Sequence, residues 1–165
     1  MQLKGIYIED DDKNIVVTQL LFQQEGFEII PLSDLPGDPK DLYPMILKHE
    51  ADFLLIDHQL NKKVGYSGYD ALQEIRKNDS TIYAVLLTTY DVEDYKPEFG
   101  IYDLEVKKSE LDTDEKLSEV SQKIRRACAR ASESEILASA DASLKFAEES
   151  LSILRKIHDS VSKNS

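Results

Sequence analysis

The sequence has a single cysteine, Cys128, which excludes an internal disulfide framework and any multi-cysteine zinc cluster. No motif surrounds that cysteine, so it is expected to pack as a small apolar residue and not to act as a nucleophile. The GxxxxGK phosphate loop and the GxGxxG dinucleotide fingerprint are both missing. No apolar run approaches the length of a membrane span. Met1-Gln2-Leu3-Lys4 leads straight into a strand without the apolar region of a signal peptide, so a cytoplasmic protein with no membrane partner is expected. Bases are the scarce charge, 20 Lys and Arg against 32 Asp and Glu, for a net charge of −12. That balance argues against tight non-specific binding to nucleic acid or anionic lipid.

The chain's 165 residues, 41% apolar and 32% charged, suit one domain with a real core plus an appendage. The charge is unevenly spread. Residues 112–165 hold 10 acids and 9 bases, leaving 22 acids and 11 bases in residues 1–111.

Residues 3–8 read as a short buried strand. From Lys13 to Glu25, Val16, Val17, Leu20 and Leu21 recur at helical spacing until Gly26 stops the pattern. Phe27-Glu28-Ile29-Ile30 reads as a second strand closed by Pro31. The turn-rich "SDLPGDPKD" leads to a short helix ending near His49, in which Pro44 is tolerable only in the first turn. "ADFLLID", residues 51–57, is a third strand, and "SGYDALQEIRKND" a helix whose Ser67 and Asp70 have capping-box spacing. "IYAVLLTT" is a fourth strand and "YDLEV" a fifth, with a curtailed helix between them where Pro97 and Gly100 interrupt. Strands alternating with helices at this spacing predict crossover connections and a doubly wound, mostly parallel α/β sheet over residues 1–112. Buried parallel strands read as unbroken apolar runs, as these do.

In such a sheet, functional groups collect beyond the carboxyl ends of the strands. The first strand ends in Glu9-Asp10, the third in Asp57, the fourth in Thr88 and the fifth in Lys107. Three carboxylates, a hydroxyl and an ammonium facing one crevice suit phosphoryl transfer. The acids can hold Mg²⁺, the lysine can neutralise charge on phosphoryl oxygens, and Asp57 can act as nucleophile. Asp11 and Asp12, which extend the acidic run, read as helix-start acids.

These residues in this order resemble the receiver domain of two-component response regulators: the acids after "IYI", Asp57 after "FLLI", Thr88 after "VLL" and Lys107 after "LEV", over roughly residues 3–110. The resemblance implies a five-stranded sheet of order 2-1-3-4-5. It implies Asp57 as phosphoacceptor, charged by a histidine kinase or phosphotransfer protein, with no enzymatic activity beyond its own phosphorylation and dephosphorylation. Asp10 would ligate Mg²⁺ directly, Glu9 through water, Asp57 as a further ligand, and Gln59 through its backbone carbonyl. Thr88 would hydrogen-bond the phosphoryl group and Lys107 would pair with it. An aspartyl-nucleophile phosphatase wants a second acid where Gln59 stands.

The sequence also departs from the family. Lys108 stands where a proline commonly follows the lysine, which leaves Lys108 as the alternative functional lysine and suggests a loop that runs trans. Thr89 replaces a small residue, and the connection from Asp57 to Gly68 is long. Leu104 occupies the place of an aromatic switch residue. Tyr90 stands where it would either shield a phosphate from water or simply pack on the surface. These departures keep open a second reading, a receiver-like scaffold that never carries phosphate and acts through its C-terminal helix.

Residues 113–165 are helical in composition. Leu117, Val120 and Ile124 fit a last receiver helix, and Arg125, Arg126 and Arg130 read as a solvated basic face. Further on, Leu137, Ala140, Leu144, Ala147, Leu151, Leu154, His158 and Val161 recur at alternating spacings of three and four. That is a heptad seam of about three and a half repeats, with Ser132 and Glu135 spaced like a capping box just before it. One long helix with a stutter, or a second helix restarted there, fits equally. The seam over residues 133–163 predicts a homodimer or a partner helix; the competing reading is a helix folded back on its own sheet domain.

Overall fold

The computed structural model describes residues 2–60, 63–89 and 100–163, with side chains through residue 156. The expectations for Tyr90 and for a curtailed helix around Pro97 lie outside the described residues. The chain divides into two compact units, Met1–Cys128 and Ala129–Ser165.

The first unit is built on β1 (Lys4–Ile8), β2 (Glu28–Leu32), β3 (Phe53–Asp57), β4 (Tyr83–Thr88) and β5 (Leu104–Lys107). All pairings are parallel, in the expected order β2-β1-β3-β4-β5. Its helices are α1 (Asp12–Gln24), α2 (Leu42–Leu47), α3 (Gly68–Asn78) and the first turns of α4 (Asp114–Lys163). Pro44 falls in the first turn of α2, where its missing N–H leaves no bond unmade. Ser67 and Asp70 close the capping box at the start of α3.

Side chains alternate across the strands with period two. Ile6, Ile8, Leu54, Ile56, Ala84 and Leu86 enter one core with Leu42 and Ile46 of α2 and Ala71, Leu72 and Ile75 of α3. Tyr7, Phe53, Leu55, Val85, Leu87 and Val106 enter the other with Ile15 and Phe22 of α1 and Leu117, Val120 and Ile124 of α4. This double burial makes the strands read as continuous apolar runs.

Two local expectations are corrected. β2 does not stop at Pro31: it continues to Leu32, with Pro31 in register with Tyr7. β2 is an edge strand, so a residue with no N–H to donate is tolerated there. The buried face of α1 is not the Val16–Leu21 run. Ile15, Thr18 and Phe22 are buried, whereas Val16, Val17 and Leu20 are 55%, 52% and 55% exposed. Phe22 fixes that choice by packing edge-on against Phe27 at 5.9 Å between centroids, and Phe27 against Phe53 at 5.3 Å. Arg125, Arg126 and Arg130 are exposed, as a solvated face requires, and the Arg125 guanidinium also lies 4.4 Å above the Phe27 ring and bonds the Glu25 carbonyl at the end of α1.

Cys128 is half-buried and packs against the second core. Burial pushes its thiol up to about 11, away from thiolate chemistry.

The second unit is the remainder of α4, helical through Lys163. Large apolar side chains along it are exposed, among them Leu137, Leu144, Phe146, Leu151 and Leu154. Among the described residues, no helix is long and apolar enough to cross a membrane.

Candidate metal and phosphoryl site

β1 and β3 are adjacent, with Ile8 in register with Ile56, so the residues leaving their carboxyl ends are neighbours. Glu9, Asp10 and Asp57 are all buried there, at 0%, 3% and 3% exposure. One ligand oxygen from each lies within 4.8 Å of the others. They line an open cavity of about 410 Å³ together with Asp11, Asn14, Gln59, Thr89 and Lys108.

The acidic run has a division of labour. Asp11 is the N-cap of α1, its carboxylate accepting from Lys13 N–H at 2.9 Å, and Asp12 lies in the first helical turn. Both therefore serve the helix, as the sequence suggests. Glu9 receives four donors. Its Oε1 accepts from the N–H groups of Asp10 and Asp11 at 2.9 and 3.0 Å. Its Oε2 accepts from Tyr7 Oη at 2.8 Å and Lys108 Nζ at 2.6 Å. Burial pushes the Glu9 carboxyl up, but Lys108, Tyr7 and the Asp11 N–H outweigh it and hold the group below its usual range.

Asp10 and Asp57 respond in the opposite sense. Burial, reinforced by the neighbouring Glu9, raises Asp10, with the Lys63 N–H at 3.2 Å as a partial counterweight. Burial raises Asp57 to about 6; Lys108 opposes the shift and the Glu9 charge adds to it. Asp57 Oδ1 lies 3.1 Å from Lys108 Nζ as an ion pair without an aligned hydrogen bond. The Gln59 N–H bonds the same carboxylate.

Gly68 permits this packing. It opens α3 with its N–H on the His58 carbonyl at 2.9 Å. A Cβ built there would lie 1.9 Å from the Asp57 carbonyl oxygen, so only glycine lets α3 begin so close to β3.

The structure brings Glu9, Asp10, Asp57 and Gln59 together as predicted from the sequence. Thr88 stands at the end of β4 with a buried hydroxyl that lacks a hydrogen-bond partner, and it is Thr89 that lines the cavity.

Of the two lysines the sequence leaves open, the structure puts Lys108 among the acids. Lys108 reaches Glu9 and Asp57. Lys107 is in register with Thr88, and it is Lys108 that lines the cavity. Tyr7 is the functional neighbour that the sequence reading missed. A tyrosine two residues before an acid, in a strand otherwise aliphatic at its buried positions, was the available signal. Among the described residues no peptide bond is cis, so Lys108 follows Lys107 in trans.

The donor set fits Mg²⁺: carboxylate oxygens in a polar, open cavity suit a hard cation that keeps several waters. The Thr88 hydroxyl is a buried group without a hydrogen-bond partner, and Asp57 Oδ1 has the Lys108 ammonium beside it as an ion pair, so both oxygens can turn to a ligand.

No family model matches the chain, and no curated protein matches it. Solved structures do. The response regulator protein TrrA of Thermotoga maritima, in complex with Mg(2+)-BeF, is similar at TM-score 0.60 and 23% identity, over 74% of this chain and 99% of that one. TrrA in its complex with the histidine kinase ThkA gives TM-score 0.58 at 22% identity, over 74% and 98%. A response regulator receiver domain protein of Clostridium thermocellum gives 0.60 at 19%, over 79% and 97%. Residues 1–128 thus have the receiver fold, and the comparison structures are spanned almost end to end.

Proposed function

We propose that the first unit is a phosphoacceptor receiver of a two-component system. The observation that carries this reading is the cluster of three buried acids, Glu9, Asp10 and Asp57, with the Lys108 ammonium among them at the carboxyl edge of the sheet. Burying like charges this closely is costly unless cations join them. Lys108 supplies one charge, and Mg²⁺ would supply two more.

An Asp57 carboxylate oxygen attacks the phosphorus of a phosphohistidine on a histidine kinase or phosphotransfer protein. The P–O bond forms as the P–N bond breaks, and the departing imidazole takes up a proton. Asp10, Asp57 and the Gln59 carbonyl would hold the metal, with Glu9 behind them. When bound, Mg²⁺ offsets the charge of the phosphoryl oxygens. The Lys108 ammonium, shared between Glu9 and Asp57, leaves Asp57 for the phosphoryl group while it stays bonded to Glu9, and the Thr88 hydroxyl supplies a hydrogen bond. The chain performs no other catalysis in this reading. It acts in the cytoplasm and signals by protein contacts, with the tail as the association surface. The complex of TrrA with ThkA supports a kinase as partner, and the Mg(2+)-BeF complex of TrrA supports the metal.

The test is incubation with Mg²⁺ and a small phosphodonor beside an Asp57→Asn control, read by intact mass. A phosphate-sized gain on the wild type alone is expected. No gain, together with no Mg²⁺ binding, would leave a receiver-like scaffold.

A further inference from the structure

We propose that the second unit pairs with the same segment of a second copy as an antiparallel two-stranded coiled coil centred near residue 149. This deepens the association reading of the tail and is independent of phosphoryl transfer.

The seam is exposed where a lone helix would keep polar residues. Leu137, Leu144, Leu151 and Leu154 are 66%, 61%, 55% and 61% exposed. They fall with Ala140 and Ala147 at heptad positions that form one stripe. Three features choose a second copy in antiparallel orientation.

The first is volume. A parallel pair stacks each seam residue on itself, giving Ala140–Ala140 and Ala147–Ala147 layers beside Leu–Leu layers. Alternating voids and bulk is poor packing. Antiparallel pairing about residue 149 sets Leu144 against Leu154 and Ala147 against Leu151 of the second copy, and the two-fold axis repeats both layers. Each alanine then faces a large side chain.

The second is charge on the flank of the seam. Asp141, Glu148 and Arg155 are spaced by sevens and so share one edge. The antiparallel register places Asp141 beside Arg155 of the second copy, twice by symmetry, against one Glu148–Glu148 approach. In a parallel pair these residues face serines or an isoleucine, and the charges play no part.

The third is the load at the N-terminal end. Residues 129–165 carry 6 acids and 5 bases, whereas residues 1–128 carry 26 acids and 15 bases. A parallel pair would tether two units of net −11 at the same end of the coil. An antiparallel pair tethers them at opposite ends of a seam about 36 Å long, well beyond the ~8 Å screening length at physiological salt.

The experiment is sedimentation equilibrium of the full chain over a micromolar concentration range, with phosphate uptake at Asp57 scored on the same samples. The wild type is expected at twice its 18.8 kDa mass. Leu151→Asp is expected as monomer with phosphate uptake intact. Arg155→Glu is expected to weaken the dimer roughly tenfold, by turning two attractive pairs repulsive, and Asp141→Arg with Arg155→Glu to restore it. A wild-type monomer overturns the proposal whether or not Asp57 takes phosphate. So does a dimer indifferent to the charge exchange, which would be parallel. An assembly of four overturns it too, with Phe146 and Ile153 on the neighbouring edge as the wider contact.

Discussion

Lys108 Nζ lies 2.6 Å from Glu9 Oε2, and the glutamate is fully buried while the lysine is 18% exposed. The pair joins the end of β1 to the turn after β5, across the site. Removing the lysine leaves a buried carboxylate without its counter-charge, a change worth about 3 kcal/mol or more. Lys108→Met is therefore expected to destabilise the metal-free protein by about that amount in denaturant titrations, and Mg²⁺ is expected to recover part of the loss. The variant is also expected to slow phosphate uptake by roughly 100-fold. Lys107→Met is expected to change uptake by less than about threefold, since it is Lys108 that lines the cavity and reaches Glu9 and Asp57. A larger loss of uptake in Lys107→Met than in Lys108→Met would return the role to Lys107.

The raised Asp57 makes a second prediction. Its carboxyl titrates at 3.8 in an unfolded chain and at about 6 in the folded one. Between those values the folded chain binds more protons than the unfolded chain, so stability falls as pH rises through the window. Above it, the ionised Asp57 costs the metal-free protein roughly 3 kcal/mol. Asp57→Asn keeps the shape without the charge. It is expected to be more stable than the wild type near pH 7 and to converge with it near pH 4. Mg²⁺ affinity of the wild type is expected to drop as pH falls through the same window. A constant stability gap between wild type and variant at every pH would assign the effect to packing.

Why the site was largely legible in the sequence, and where it was not, follows from the same geometry. A parallel sheet with both faces covered writes its strands as apolar runs, and the residue ending each run must stand at one edge. Glu9, Asp10 and Asp57 were found that way. Lys107 and Lys108 were not separable, because the choice depends on the register of one short strand, and a slip of one residue reverses every side chain. The buried face of α1 was misread for a related reason. Val16, Val17 and Leu20 are as apolar as Ile15 and Phe22, and only the Phe22–Phe27–Phe53 stack decides which face turns inward.

Gly68 sets a third expectation. A methyl group there meets the Asp57 carbonyl oxygen at 1.9 Å, and backbone cannot yield as a side-chain tip does. Gly68→Ala is expected to cost about 3 kcal/mol, at the upper end of overpacking. Because the clash is with Asp57 itself, Mg²⁺ affinity is expected to fall too. A loss of stability with unchanged affinity would show that α3 shifts and β3 stays.

Tyr7 carries the last prediction. Its Oη donates to Glu9 Oε2 at 2.8 Å and accepts from the Thr18 hydroxyl of α1. Burial first, and then the Glu9 charge, raises the phenol well above its usual range, so it remains a neutral donor. Tyr7→Phe keeps the ring in the core and removes the donor to Glu9 together with the acceptor for Thr18, at an expected cost of about 1–2 kcal/mol. The loss should depend on pH. Glu9 has a lowered carboxyl, so its contribution is present above the unfolded value of 4.5 and is lost as pH falls through the folded one. Weakening the hold on Glu9 moves acid unfolding to higher pH. Thr18→Val, which leaves the Tyr7–Glu9 bond in place, is expected to leave the acid limb of the stability curve unmoved. Parallel losses in both variants at all pH values would make Tyr7 a packing residue and leave Glu9 to Lys108 and the two backbone N–H groups.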